Sequence, residues 1–174
     1  MLKLSKNLFN QPVMSLRVGG QIALAVEPII NPHSLKIIGW WCQADTPGPL
    51  VLLSEHVRDF VSGGLAVDDH DDLSEPQDLV RYREVLEIHF KLIDKLVKTK
   101  HQKLGKVNDF SYNDGMFVQK LYVARPLHKV LATDSTLLID RQQILEVTDQ
   151  YILVKGSEIR ATETDLAADT ALAA

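Results

Sequence analysis

The densest group of side chains able to do chemistry is the acidic run Asp68, Asp69, His70, Asp71 and Asp72, with Glu75 just beyond it. Clustered carboxylates suit a hard divalent cation, which collects oxygen ligands. An EF-hand loop requires oxygen donors at alternating positions, a glycine at the sixth and a glutamate at the twelfth; counted from Asp68, the third position is His70 and the sixth is Leu73. The run fails that pattern and reads as a solvated linker. His33, His56, His70, His89, His101 and His128 lie apart, with no HxH or HExxH spacing, and read as surface or boundary residues. Cys42, beside Trp41 at the end of an apolar stretch, reads as a small hydrophobe, and no partner for a catalytic thiol is evident. The chain contains no GxxxxGK, GxGxxG or GxSxG, so the phosphate cradle, the dinucleotide turn and the nucleophile elbow all lack their signatures. The expectation is a protein without catalytic residues, metal or cofactor, and not an enzyme.

Two other sets suit partners rather than reactions. Trp40 and Trp41 are adjacent, so in a strand they face opposite sides and one of them is a candidate interface anchor. The alternative is that both are covered, one inside the sheet and one by a helix or by the other half of the chain. The region 91–106 carries Lys91, Lys95, Lys98, Lys100, Lys103, Lys106 and His101. Lys95, Lys98, Lys100, Lys103 and Lys106 are candidate RNA contacts. The preferred reading is instead a solvated edge strand whose lysines guard against sheet-to-sheet pairing.

Composition limits the classes. Nineteen basic against 23 acidic residues give a formal net charge of −4, the wrong sign for wrapping nucleic acid, so RNA is disfavoured as a partner and a protein partner favoured. A single cysteine excludes an intrachain disulfide framework and fits a reducing compartment; the expected location is cytoplasmic. The basic N-terminal stretch never runs seven apolar residues, so it makes a poor signal peptide, and nothing approaches the roughly eighteen apolar residues that span a bilayer. With 45% hydrophobic and 24% charged residues, the 174-residue chain can bury a core. Homo-oligomerisation is left open.

The elements that would position these residues repeat. Residues 8–67 contain LFNQPVMSLRVGGQIALAV, LKIIGWWC and PLVLLSEHVRDFVSGGLAV; residues 96–154 contain LVKTKHQKLGKVNDFSY, MFVQKLYV and STLLIDRQQILEVTDQYILV. Aligned by apolar rhythm, Gly20 matches Gly105, Ile22 matches Val107, Trp40 and Trp41 match Leu121 and Tyr122, and Leu53-Ser54 matches Ile139-Asp140. Asn113-Asp114-Gly115 predicts a hairpin, with Asn31-Pro32-His33-Ser34 as its longer counterpart. Gly20 and Gly105 mark bends, and Asp109 and Asp140 are placed to accept backbone amide hydrogen bonds at a turn or helix start. Between the repeats, Ser74 and Gln77 form a capping-box candidate ahead of Leu79, Tyr82, Val85, Leu86 and His89 on one face, predicting a helix of about four turns over 76–89.

Leu104-Gly105-Lys106-Val107-Asn108-Asp109, the hairpin, LYV, then Ile139-Asp140-Arg141-Gln142-Gln143-Ile144-Leu145 and YILV resemble the PRC-barrel family. That family is named from the photosynthetic reaction centre H subunit and also supplies the C-terminal domain of the bacterial small-subunit rRNA maturation factor. The first repeat departs from the pattern, with Gly19-Gly20-Gln21-Ile22 in place of LGKV and no aspartate at the matching position. The resemblance implies small, strongly bent barrels that act as interaction or assembly modules, with no catalytic residues to transfer and binding of a ribosomal protein as the nearest implied role. The expected fold is mainly β: two small PRC-type β-barrels in tandem joined by one α-helix. The divisions are 1–75 for the divergent repeat, 76–89 for the linker helix, 90–156 for the second repeat and 157–174 for a disordered tail. The terminal Ala-Leu-Ala-Ala is similar to the end of the tag that marks stalled bacterial proteins for degradation.

Overall fold

The computed structural model describes residues 1–125 and 136–156. The expectations for His128, for the 157–174 tail and for its Ala-Leu-Ala-Ala end lie outside the described residues. The chain is mainly β and forms two compact units: Lys6–Phe90, and Met1–Ser5 together with the chain from Lys91 onward.

In the first unit, strands β2 (Gln11–Ser15), β3 (Gly20–Asn31), β4 (Lys36–Gln43), β5 (Leu50–Leu53), β6 (Asp59–Val61), β7 (Gly64–Val67) and β8 (Leu73–Ser74) form a curled sheet in the order β6-β7-β2-β3-β4-β5-β8. In the second, β1 (Lys3–Leu4), β9 (Leu96–Lys98), β10 (Lys103–Tyr112), β11 (Val118–Ala124), β12 (Thr136–Asp140), β13 (Ile144–Val147) and β14 (Tyr151–Val154) run β12-β11-β10-β9-β14-β13, with β1 on β10. Apart from β1 and β8 the two orders are the same. In each unit a 3-10 turn, Ser54–His56 or Arg141–Gln143, follows the fourth strand, and the last strand pairs in parallel with the first.

The irregularities repeat as well. Register slips fall between Val13 and Met14 on one ladder and between Lys103 and Gly105 on the other, then at Ala25/Glu27 and Val107/Asp109, then at Ile29/Ile30 and Ser111/Tyr112. A bulge adds local twist and bends its strand, so three at matching places curl both sheets alike. They also fix the correspondence between the repeats. Ala25 pairs with Cys42 just before its slip and Val107 with Val123 just before its own, so Ala25 answers to Val107 and Ala23 to Gly105. The alignment of Gly20 with Gly105 and Ile22 with Val107 is therefore three residues out. The two glycines are not equivalent: Gly20 has open space where a Cβ would stand, whereas Gly105 meets the Ala124 carbonyl, where the first unit has Ala23. Trp40 and Trp41 do stand opposite Leu121 and Tyr122, whereas Leu52, not Leu53, answers to Ile139.

The inner faces carry the cores. Val13, Ala25, Trp40, Leu52 and Leu65 are buried in the first unit, and Val97, Val107, Leu121, Ile139 and Ile152 in the second. Both main hairpins open on an asparagine. Asn31 Oδ1 accepts from His33 N–H at 2.9 Å, and Asn113 Oδ1 accepts from Phe117 N–H at 3.0 Å.

The expected four-turn helix is replaced by 3-10 turns at Pro76–Asp78 and Val80–Tyr82 and a six-residue α1 (Arg83–Ile88). Ser74 cannot cap it because it lies in β8, paired with Val51; Leu79 leaves helical geometry at φ −87°, ψ 60°; His89 ends α1 in a left-handed conformation. The apolar face survives this. Leu86 is buried among Ile29, Ile38, Val51 and Leu53 on the outer face of β3–β5, with Trp41, Leu79, Tyr82 and Val85 packed around it. That segment belongs to the first unit rather than standing as a separate linker, while Lys3–Leu4 pairs with Ser111 and Tyr112 in the second.

Candidate functional site

Lys98, Lys103 and Lys106 lie on strands that are not edges. β9 is flanked by β10 and β14, and β10 by β9 and β11, so lysines there have no free edge to guard. Val97 is buried, so Leu96 and Lys98 face outward by strand alternation, and Lys98 pairs with Lys103 while Leu96 pairs with Lys106. On the other side, Leu96 aligns with Tyr151 and Lys98 with Leu153. Lys98, Lys103, Lys106, Tyr151, Leu96 and Leu153 therefore share one outer face. Lys98 Nζ sits 3.5 Å from the centroid of the Tyr151 ring, a cation–π contact that holds one ammonium on the aromatic face.

Lys100 extends this face from the turn joining β9 to β10. Thr99 is buried and its Oγ1 accepts from the N–H groups of His101 and Gln102, each at 3.2 Å, which fixes the turn and leaves Lys100 exposed. Lys95 has another role. Its Nζ donates to the Asp149 carbonyl at 2.6 Å, and partial burial lowers its pKa against the opposing pull of the Asp149 charge. Lys98, Lys100, Lys103 and Lys106 thus form the basic face, with Lys95 tying the loop before β14.

The matching positions of the first unit are uncharged: Met14 for Lys98, Gln21 for Lys103 and Leu24 for Lys106. The matching turn is built the same way. Ser15 is buried, its Oγ donates to the Asp68 carbonyl at 3.1 Å and accepts from Val18 N–H at 3.1 Å, and Gly19 supplies the left-handed φ of 71°. Gly20 itself has open space where a Cβ would stand, so the conformational requirement lies one residue earlier than expected. This turn presents Leu16 and Val18, 65% and 58% exposed. Sequence reasoning passed over them, although two large apolar residues inside a glycine-terminated turn are themselves a signal, because such residues have no sheet to enter.

Trp40 is fully buried, with Phe60 edge-on at 6.1 Å and, among the described residues, no partner for its indole N–H, so it offers no surface on its unit. Trp41 is half-buried on the outer face, beneath the α1 segment and stacked with His89 at 5.4 Å. Neither tryptophan is an exposed anchor on this unit: the inner core takes one and the helical segment the other. Gly105 meets a close approach, since a Cβ there would lie 1.9 Å from the Ala124 carbonyl oxygen. Asp109 accepts from Phe110 N–H at 2.7 Å and from Ser5 Oγ. Asp140 opens its 3-10 turn, and its N–H donates to Gln143 Oε1 at 2.8 Å in a capping box. Asp109 answers to Glu27, so an acid does stand at the matching place of the first repeat.

The acidic run is engaged within its own unit. Asp68 is held by Arg58; Asp69 pairs with Arg17 at 2.6 Å and accepts from His70 N–H; Asp72 accepts from the N–H groups of Asp68 and Asp69. The Arg17 hydrogen bond, with the two from His70, holds the Asp69 carboxyl at about 2. Cys42 is buried, and desolvation pushes its thiol up to about 12, so it is a poor nucleophile at neutral pH. Among the described residues no helix is long and apolar enough to cross a membrane, and no group of three or more His, Cys, Asp or Glu is gathered to hold a metal. Comparison with protein-family models and with curated proteins finds no match for this chain.

Proposed function

We propose that the chain is a non-catalytic protein built from two PRC-type barrels, acting as a protein-interaction or assembly adaptor in the bacterial cytoplasm, in ribosome or RNA metabolism. The observation that carries this reading is that two sheets with the same strand order and the same three register slips present different exteriors. What the fold requires is common to both; what differs is free to serve partners. In the first unit the free feature is the Leu16–Val18 turn, held by a buried serine and offering two aliphatic side chains as a small apolar knob. The test is capture on immobilised chain with high-salt washing. A protein retained by the parent chain and lost with Leu16→Ser/Val18→Ser supports the reading; recovery of RNA alone, or a partner indifferent to the substitutions, removes it.

A second reading is favoured by the placement of the lysines on internal strands where the sister sheet does without charge. It is direct RNA binding through Lys98, Lys100, Lys103 and Lys106, with Tyr151 as a stacking surface. Each phosphate neutralised on a single strand contributes about −0.7 to the slope of log affinity against log salt, so replacing three lysines by glutamine should flatten the slope by about 2. An unchanged slope removes this reading.

A further inference from the structure

We propose that the Leu16–Val18 turn and the aspartate loop beside it form one docking surface, and that its occupant is a basic protein segment with aliphatic residues set between its cations. This deepens the adaptor reading and rests on it. The turn and the loop are laced together: Leu16 N–H donates to the Val67 carbonyl at 2.9 Å, Arg17 N–H to the Asp68 carbonyl at 3.1 Å, and Arg17 Nη1 to Asp69 Oδ2 at 2.6 Å. Leu16 and Val18, both exposed, are therefore held beside the carboxylates rather than carried on a free loop.

Charge selects the occupant. Arg58 and Arg17 each pair with one carboxylate, Asp68 and Asp69, while Asp71 is exposed and Asp72 accepts from backbone N–H groups, so the loop keeps a formal excess of two negative charges. Such a rim repels phosphate and anionic lipid and draws cations, over about 8 Å at physiological salt. The fold does not ask for this sign. In the second unit Thr99 stands for Ser15, Lys100 for Leu16 and Lys155 for Asp68, and a buried hydroxyl holds the turn in the same way. The scaffold is common, and its surroundings are apolar and acidic in one unit and basic in the other. On the first unit the aliphatic contact sets how slowly a bound segment leaves, and the rim charges set how fast it arrives.

The experiment uses the full chain, 15N-labelled, with synthetic peptides of repeating Lys-Leu-Lys-Gly, Lys-Ser-Lys-Gly and Glu-Leu-Glu-Gly as probes. The lysine–leucine peptide should shift the amides of Leu16, Val18 and Asp71 and bind about tenfold more tightly than the lysine–serine peptide, because only the former buries aliphatic area. The glutamate peptide should not bind. Leu16→Ser/Val18→Ser should erase the preference for leucine, and Asp71→Lys should weaken both lysine peptides about threefold and flatten their salt dependence. Shifts centred elsewhere, equal binding of the glutamate peptide, or indifference to Asp71→Lys would overturn the proposal. Shifts of the same amides by phosphatidylcholine vesicles and not by peptide would make a lipid surface the occupant and overturn it too. The adaptor reading fails on a different result, a captured protein indifferent to Leu16 and Val18, and this proposal falls with it. A captured protein that needs Leu16 and Val18 but associates equally fast with Asp71→Lys keeps that reading and removes the basic occupant.

Discussion

The sheet of residues 6–90 and the sheet begun at Lys91 answer to one another strand by strand, yet their outer faces follow opposite rules. On the first, Ile29, Ile38, Trp41, Val51 and Leu53 form an apolar field closed by the α1 segment. On the second, the same places hold Ser111, Gln119, Tyr122, Leu138 and Asp140, of which Ser111 and Tyr122 are buried, and further along the sheet the outer face carries Lys98, Lys103 and Lys106. Strand order and bulge positions therefore tolerate either chemistry outside, because the inner cores and the backbone ladders set the curl. A face that the fold leaves unconstrained is where selection for a partner can act.

The largest effect should come from the backbone crossing at which the repeats differ by one methyl group. Ala23 occupies the place that Gly105 fills in the second sheet. At Gly105 a Cβ would fall 1.9 Å from the Ala124 carbonyl oxygen, and backbone cannot yield as a side chain does. Gly105→Ala should cost about 3 kcal/mol or more, and Ala23→Gly only about 1. Equal costs, measured by denaturant unfolding, would mean that the two sheets do not correspond there.

Next comes the apolar field. Leu86→Ala removes the buried centre of the cluster and should cost about 2–4 kcal/mol. Ile38→Gln installs the residue of the sister sheet and should cost about 2 kcal/mol by burying an amide without a partner. Ser111→Ile, the reverse exchange, should not gain a matching amount, since Ser111 is already fully buried and the added carbons must be forced into packed space. Near-neutral results for both first-unit changes would detach the α1 segment from the stability of its sheet.

The lysine face should behave oppositely. Lys98→Gln, Lys103→Gln and Lys106→Gln together should leave unfolding stability within about 0.5 kcal/mol, as exposed charges usually do. A large loss would return the lysines to a role in the fold and empty the comparison of functional content.

Much of this was legible in the residues. The repeat, the Asn113 hairpin, the apolar face of the helical segment and the outward lysines all follow from composition and spacing. Three things were not. Gly20 and Gly105 serve different ends, the exit of a turn and a close backbone approach, so matching them by residue type slid the alignment by three. The helix signal of Leu79, Tyr82, Val85 and Leu86 fixes which side chains meet the sheet, but not whether Leu79 keeps helical angles between them. The role of the lysines depended on whether β9 was an edge, and that is decided by β14, more than forty residues later.

The smallest effect lies in the acidic run, and it separates structural charge from functional charge. Arg17 and the two His70 hydrogen bonds hold the Asp69 carboxyl at about 2, below the roughly 3.9 of an unfolded chain. A group with a depressed folded-state pKa stabilises the fold above its unfolded value and ceases to do so as pH falls through the folded value. The Asp69 contribution is therefore complete at neutral pH and is lost between about pH 4 and pH 2. Arg17→Gln should raise the Asp69 carboxyl toward its ordinary range, read by carbon-detected NMR titration, and move the acid limb of the stability profile to higher pH. Because the pair is exposed, the loss of stability at neutral pH should be slight. If the Asp69 titration does not move, the His70 backbone bond rather than the guanidinium holds the carboxylate, and Arg17 joins Leu16 and Val18 as a side chain offered to a partner.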